Sequence, residues 1–480
     1  MPDTPNILFL LTDQLRLDAV SCYTDTPCRT PSLDSLAEDG VRFENAYCPC
    51  PVCTPSRASV LTGEFPHNHG MTQNAGNEGC SIHAVPNRPD LLPRRLDDAG
   101  YDLGYTGKWH LCPASDDVFG VDVPQRVPSD LGFRGHDIPG HGDGGWETDP
   151  YRAYLDDQGY TLEFDILEGC PGGRAGVVEA PTSATVPAYL ADHTISLLEE
   201  FQDRDSPFCL LHNFWGPHEP YYPSREFYDR YADVEIPPWP NADWPAGDIP
   251  GVHHNRLSER AQTAAWEEWA EVVRHYYAFT AMIDSQIGRI LEYLETSGLA
   301  TETLVVFAAD HGETLGSHGG LVDKGFHHFE EIMNVPLIIR FPDGQWKNTT
   351  RSELVSLLDL YPTFLDAASI DTDATDQYGQ SLYTLLEDDG TEWRDAVGME
   401  FHGLGGISHS QRTIRTNDLK YGYNPGLRDE LYDLSLDPDE TQNLVDNPAY
   451  ETELEEMRDH LRAWQTETDD SLPSPGDTIY

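Results

Sequence analysis

The sequence predicts an α/β protein: a large, mostly parallel sheet flanked by helices, followed by a small C-terminal antiparallel sheet with a helix. Three observations predict it. Asn6 to Thr12, Pro207 to Trp215 and Thr303 to Ala308 are continuous apolar runs, as expected of strands buried on both faces. Helical patterns at 32–39, 187–201 and 258–298 alternate with them, which implies repeated βα units. From about residue 381 the pattern changes to short alternating stretches, Ala396 to Phe401 and Thr413 to Lys420, before a last helix near 449–465. The domains predicted are therefore 1–380 and 381–480, the second ending in a mobile tail from Asp469.

In chain order, the strand at 6–12 ends in Asp13-Gln14. Ligands gather at the carboxyl ends of strands in open α/β sheets. An aspartate there serves as a cap or as a hard-metal ligand. A strand is expected over 41–47. Cys48-Pro-Cys50-Pro-Val-Cys53 has zinc-knuckle spacing, but no second cysteine pair follows at finger distance. The stretch Cys53-Thr-Pro-Ser-Arg57-Ala-Ser-Val-Leu-Thr-Gly63 reads as a helix with Thr54 as N-cap, Pro55 at the first helical position and Gly63 as a left-handed C-cap. Cys53 then sits at a helix N-terminus, where free N–H groups favour an anion, with Arg57 one turn on.

Tyr101 to Thr106 is a further strand, opening into Lys108 and His110, which share a side if the chain stays extended. The chain keeps only four lysines, so Lys108 and Lys324 are conspicuous. Residues 112–150 read as loops. Pro207 to Trp215 leads to His218, and Thr303 to Ala308 leads to Asp310-His311, followed by a loop with Lys324, His327 and His328 and a strand over 335–341. Asp13-Gln14, Lys108 with His110, His218, and Asp310-His311 all follow predicted strands. With Cys53, Arg57 and Lys324 they outline a site for a tetrahedral anion: a metal, cations and a helix terminus around one oxyanion.

The charge bounds the partners. The chain of 480 residues carries 83 acidic and 30 basic side chains, a net charge of −53. That excludes nucleic acid and anionic membranes as natural partners. It destabilises a compact state at low ionic strength and is screened at molar salt, where the Debye length is roughly 3 Å, so a high-salt environment is expected. Ten Trp, 23 Tyr and 17 Phe exclude an acidic disordered chain. No apolar run reaches the ~18 residues of a membrane helix and no charged leader opens the chain, so a cytoplasmic location is expected. Nine cysteines, an odd number, are read as mostly free.

The string from Cys53 to Gly63 resembles the sulfatase signature C-x-P-S-R-x-x-x-L-T-G, and Glu430-Leu-Tyr-Asp-Leu with Asp437-Pro-Asp-Glu-Thr is similar to the family's C-terminal pattern. The resemblance implies the alkaline-phosphatase-like fold and a cysteine oxidised by a formylglycine-generating enzyme to formylglycine, whose hydrate is the nucleophile. It also implies one divalent cation held by Asp13, Gln14, modified Cys53, Asp310 and His311, with calcium ahead of manganese and magnesium. Arg57 would polarise the formylglycine, Lys108 and Lys324 would neutralise ester oxygens, His218 would protonate the leaving alcohol and His110 would help release the covalent intermediate. The implied reaction is hydrolysis of a small-molecule sulfate monoester to alcohol and sulfate; homo-oligomerisation is left open.

Many sulfatases carry Asp-Asp where this chain has Asp13-Gln14, and Asn where His311 stands. The Gln and His pairing resembles the phosphonate monoester hydrolase and phosphodiesterase branch, and it removes a negative charge from the metal site. A plain cysteine hydrolase and an unconverted, catalytically silent metal-binding protein are the other readings of Cys53.

Overall fold

In a computed structural model of the chain, residues 4–244, 258–371, 377–388 and 390–475 are described. The strands of the two larger sheets are β1 (Asn6–Asp13), β2 (Val41–Tyr47), β3 (Asp102–Gly107), β4 (Arg134–Gly135), β5 (Phe208–Pro217), β6 (Thr303–Ala309), β7 (Leu337–Arg340), β8 (Thr349–Ser356), β9 (Ala396–Leu404), β10 (Ile407–Thr416), β11 (Leu419–Tyr423) and β12 (Glu430–Asp433). The principal helices are α1 (Pro31–Glu38), α2 (Cys53–Thr62), α3 (Val186–Gln202), α4 (Trp266–Ser297) and α5 (Glu451–Glu467).

The first eight strands form one sheet in the order β8-β2-β7-β6-β1-β5-β3-β4. The three apolar runs lie side by side at its centre, β1 parallel to both β5 and β6. Every residue of β5 and β6 is buried, which is why those runs do not alternate. The last four strands form an antiparallel sheet in sequence order.

Several expectations are corrected. The strand predicted over 335–341 is β7, and it runs antiparallel to both neighbours. No helix crosses the sheet between β6 and β7, so the chain returns as a long hairpin. Residues 413–420 form two strands, because the chain turns between Thr416 and Leu419. The helix read over 258–298 is two: Ala264 and Ala265 are extended, and Glu268 Oε2 accepts from the Ala265 N–H to start α4 afresh. Within the span read as loops, Arg134–Gly135 adds an edge strand beside β3, and Asp149–Gln158 begins a helix.

The stretch from Asp469 is no free tail as far as Pro475. The Asp470 carboxylate is 2% exposed and pairs with Arg412 at 2.8 Å. Arg412 lies 3.5 Å from the buried Glu400, which also takes the backbone N–H and ring of His67 at 2.7 and 2.6 Å. Residues 476–480 lie outside the described residues. The Glu400 N–H donates to Pro49 O, so β9 is tied to the segment that leads into α2. All nine cysteines are free. The zinc-like trio diverges: Cys48 Sγ turns to Ile332 O, Cys50 lies among Val52, Phe326 and Phe401, and Cys53 faces the site described next.

Candidate active site

Helix α2 is buried along its whole length. Its N-cap is Val52 rather than Thr54, and no side chain of its own caps it. The reason lies in the loop after Gly70: Asn74 Oδ1 accepts from the Thr54 N–H at 3.1 Å. That frees the Thr54 hydroxyl to donate to His110 O at 2.5 Å and to accept from the Ala75 N–H. Cys53 is thus the first residue of the helix, with its side chain at the dipole's positive end. Gly63 closes the helix at φ 71°, as its sequence predicts.

The strand ends supply the rest. Asp13 ends β1, Asp310 and His311 follow β6, Lys108 follows β3 and His218 follows β5. Gly107 turns the chain into Lys108 at φ 93°, and a Cβ there would lie 1.9 Å from Asn213 O, so only glycine fits. The chain does not stay extended beyond it, since His110 has φ 55°. Lys108 Nζ still bonds Asp13 and lies 3.6 Å from Cys53 Sγ.

Cys53 Sγ is 3.3 Å from His311 Nε2 and 3.8 Å from Asp13 Oδ1. His311 Nδ1 donates to Gly312 O at 2.9 Å, which aims Nε2 at the cysteine. Arg57 ties both carboxylates together. Its Nε donates to Asp310 Oδ2 at 2.8 Å, its Nη2 to Asp13 Oδ2 at 3.2 Å and its Nη1 to Asn213 Oδ1 at 2.9 Å. Gln14 holds φ 63°, its N–H donates to Asp310 Oδ1, and its amide oxygen accepts from Lys324 Nζ while its nitrogen donates to Glu313. The His218 N–H donates to Asp13 O, and its Nδ1 donates to Glu219 O at 2.7 Å, which leaves Nε2 for other partners. Every candidate named from the sequence therefore lies in or beside one cluster.

The electrostatics follow from burial among mixed charges. Burial opposes ionisation of Asp13, yet Lys108, His218, Arg57 and Lys324 hold its carboxyl well below the usual range. Asp310 is pushed up by burial and by Asp13. Burial and Asp13 push the Cys53 thiol up, but Lys108, Lys324 and His311 outweigh them and bring it to about 6. Burial lowers His311 and Asp310 more than restores it. His110, His141 and His218 are held neutral, first by burial and then by the nearby lysines.

A divalent cation fits here. Ligand atoms of Asp13, Cys53, Asp310 and His311 all lie within 4.8 Å of one another, and all four residues are buried. Two carboxylates packed this closely, one of them resisting ionisation because of burial and then of the other, form a donor set that a cation between them would relieve.

Three residues that sequence reasoning did not single out complete the surroundings. Asn74 caps α2, Asn213 holds Arg57, and His141 packs its ring between those of His110 and His218, with centroids 4.8 and 4.9 Å away. The signal for His141 was a histidine set between Gly140 and Gly142. Both glycines have positive φ, and a Cβ on Gly142 would strike the Trp215 ring at 2.9 Å. His328, by contrast, turns to Thr413 on β10 at 2.6 Å.

The fold and the site define a hydrolase that acts on a tetrahedral oxyanion with a nucleophile at a helix N-terminus. The sequence profile of the sulfatase family matches residues 5–370, so the chain belongs to that family and is a sulfuric ester hydrolase. The family uses a divalent metal and a formylglycine nucleophile. A second profile, the C-terminal region of N-sulphoglucosamine sulphohydrolase, matches residues 316–467. The chain is 29% identical to the uncharacterized sulfatase YidJ of Escherichia coli over 95% of its length and 86% of that protein. It is 27% identical to an N-acetylglucosamine-6-O-sulfatase of Bacteroides thetaiotaomicron, covering 99% of this chain and 88% of the relative. Its fold superposes on the phosphonate monoester hydrolase of Agrobacterium radiobacter with a TM-score of 0.78 at 23% identity, covering 97% and 96% of the two chains.

Proposed function

We propose that this chain hydrolyses sulfate monoesters at the Cys53 cluster, with Cys53 converted to formylglycine by a formylglycine-generating enzyme. The observation that supports this reading is the meeting of Asp13, Cys53, Asp310 and His311 beneath Arg57, Lys108 and Lys324. Asp13, Gln14, residue 53, Asp310 and His311 would hold the cation. Calcium is the ion proposed, with manganese and magnesium as alternatives, because the oxygens are hard and His311 adds a nitrogen. When bound, the cation supplies a Lewis acid for the ester and nucleophile oxygens.

Converted and hydrated, residue 53 presents two hydroxyls, one to attack sulfur in line and one to expel sulfate afterwards. Asp310 takes the proton of the attacking hydroxyl. Arg57 fixes both carboxylates, and Lys108 and Lys324 neutralise the sulfuryl oxygens. Burial and then the lysines hold His218 neutral, and the ester's negative charge, seated between the lysines, offsets the lysines' part. His218 Nε2 can then carry the proton given to the leaving alcohol. His110 takes the proton of the second hydroxyl as sulfate departs. The surface charge supports a high-salt setting for this reaction.

A second reading, phosphonate monoester or phosphodiester hydrolysis, is favoured by Gln14 and His311. A sulfate monoester and a phosphodiester each carry one negative charge, so the cations cannot separate them; room for a second organic arm must. The loop at 74–83, tied to the start of α2 by Asn74, bears on that room. So does the excursion at 232–255, of which residues 245–255 lie outside the described residues. The test compares kcat/KM for an aryl sulfate and a matched aryl phosphonate or diester, with converted enzyme in high salt. The sulfate is expected to win. A phosphorus substrate ahead by more than about tenfold, roughly 1.4 kcal/mol in transition-state binding, replaces this reading by the second.

A further inference from the structure

The mechanism leaves His110 with a proton that has no direct way out. His110 is 4% exposed, and its Nδ1 is buried without a hydrogen-bond partner. Its ring edge meets His141 at a centroid distance of 4.8 Å and an interplanar angle of 73°. The His141 side chain is 28% exposed, and its Nδ1 lies 3.7 Å from a carboxylate oxygen of Asp143, which is 81% exposed. Exposure thus rises in steps from His110 to His141 to Asp143.

The loop is shaped to hold that order. Trp215 Nε1 donates to His141 O at 2.6 Å. Gly142 and Gly145 both lie against the Trp215 ring, where a Cβ would come within 3.0 Å, and a Cβ on Gly140 would come within 2.6 Å of Ala114. The backbone around His141 is therefore pressed inward as far as sterics permit, although no direct hydrogen bond of its ring accounts for that placement.

We propose that His141 is the proton relay of the second half-reaction, carrying the proton from His110 to solvent beside Asp143. The proposal rests on the formylglycine reading above. The bookkeeping closes. As the O–H bond of the second hydroxyl breaks, its electron pair forms the aldehyde C=O, the C–O bond to sulfate breaks and its pair leaves with sulfate. The proton bonds a nitrogen of His110. It then passes to His141, directly or through one water, and on to bulk water. His218, which lost a proton to the alcohol, regains one from solvent, Asp310 gives up to solvent the proton it took from the first hydroxyl, and water rehydrates the aldehyde. A neutral imidazole has one ring nitrogen that accepts a proton and one N–H that releases one, so it can hand a proton on without keeping it.

The experiment uses converted, metal-loaded enzyme and an aryl sulfate that releases a chromophoric alcohol. Parent, His141→Ala, His141→Gln and His110→Ala are compared by rapid mixing, and quenched samples are weighed by intact mass spectrometry. Circular dichroism identifies variants folded like the parent, and both His141 variants must agree. The relay predicts that each keeps a first-turnover burst of alcohol but turns over about tenfold or more slower in the steady state. Sulfated residue 53 accumulates in both, and added imidazole restores steady-state turnover in His141→Ala, whose removed ring leaves an opening at the mouth. Turnover within twofold of the parent overturns the relay. So does slow turnover with no burst and no rescue by imidazole, which marks His141 as a substrate contact. His110→Ala must accumulate the sulfated residue whatever His141 does. If it does not, the formylglycine reading itself fails and the relay falls with it.

Discussion

Arg57 shows what one side chain does here. Its guanidinium donates to Asp310, Asp13 and Asn213 from a position 3% exposed, a geometry that lysine cannot copy. Asp310 is the residue both Arg57 and the cation need. Asp310→Asn keeps the shape, removes the charge and leaves a buried guanidinium short of a partner. It is expected to lose bound metal and to cut turnover by on the order of 10² or more. Elemental analysis beside an aryl sulfate assay checks this, and full metal retention with unchanged turnover would count against the ligand role. At this scale the sequence was legible where chemistry sits at strand ends, since Asp13, Lys108, His218 and Asp310 each follow a predicted strand. It was not legible at Asn74 and Asn213, because a cap supplied from another segment leaves no local pattern.

Among the elements, α1 and α4 carry a pH-sensitive joint. Asp284 of α4 accepts from the Ser32 and Leu33 N–H groups at the start of α1, at 3.1 and 2.9 Å. Burial pushes its carboxyl up to about 7, against those backbone bonds. The folded state therefore holds a proton that the unfolded chain, at the ordinary value near 3.8, gives up. Stability from this group is full below about pH 4 and declines as pH rises to about 7, by at most about 4 kcal/mol. Asp284→Asn cannot ionise, so its denaturant midpoint should fall less between pH 4 and 7 than the parent's. Equal slopes would contradict the assignment. The elements whose apolar runs are continuous were legible in both place and type. The direction of β7 and the break before α4 were not, because strand polarity depends on how the chain returns and the break on one capping carboxylate, Glu268.

Across the whole molecule the net charge is −53, and many of the basic groups are spent inside ion pairs. Lys108 serves Asp13, Lys324 lies 3.7 Å from a carboxylate oxygen of Asp323, and Lys420 pairs with Glu330 and Glu440. Few cations remain to offset the exposed carboxylates, so the fold is expected to loosen in dilute buffer and recover near molar potassium chloride, followed by circular dichroism. An equally stable fold at low ionic strength would refute the high-salt reading. That condition also governs how the central claim is tested. Protein purified in high salt from its own host, and shown to be active on an aryl sulfate, is digested, and the peptide holding residue 53 is analysed by mass spectrometry. The account predicts that the thiol of Cys53 has been replaced by the formylglycine aldehyde; fully active protein in which Cys53 is entirely unmodified would contradict it.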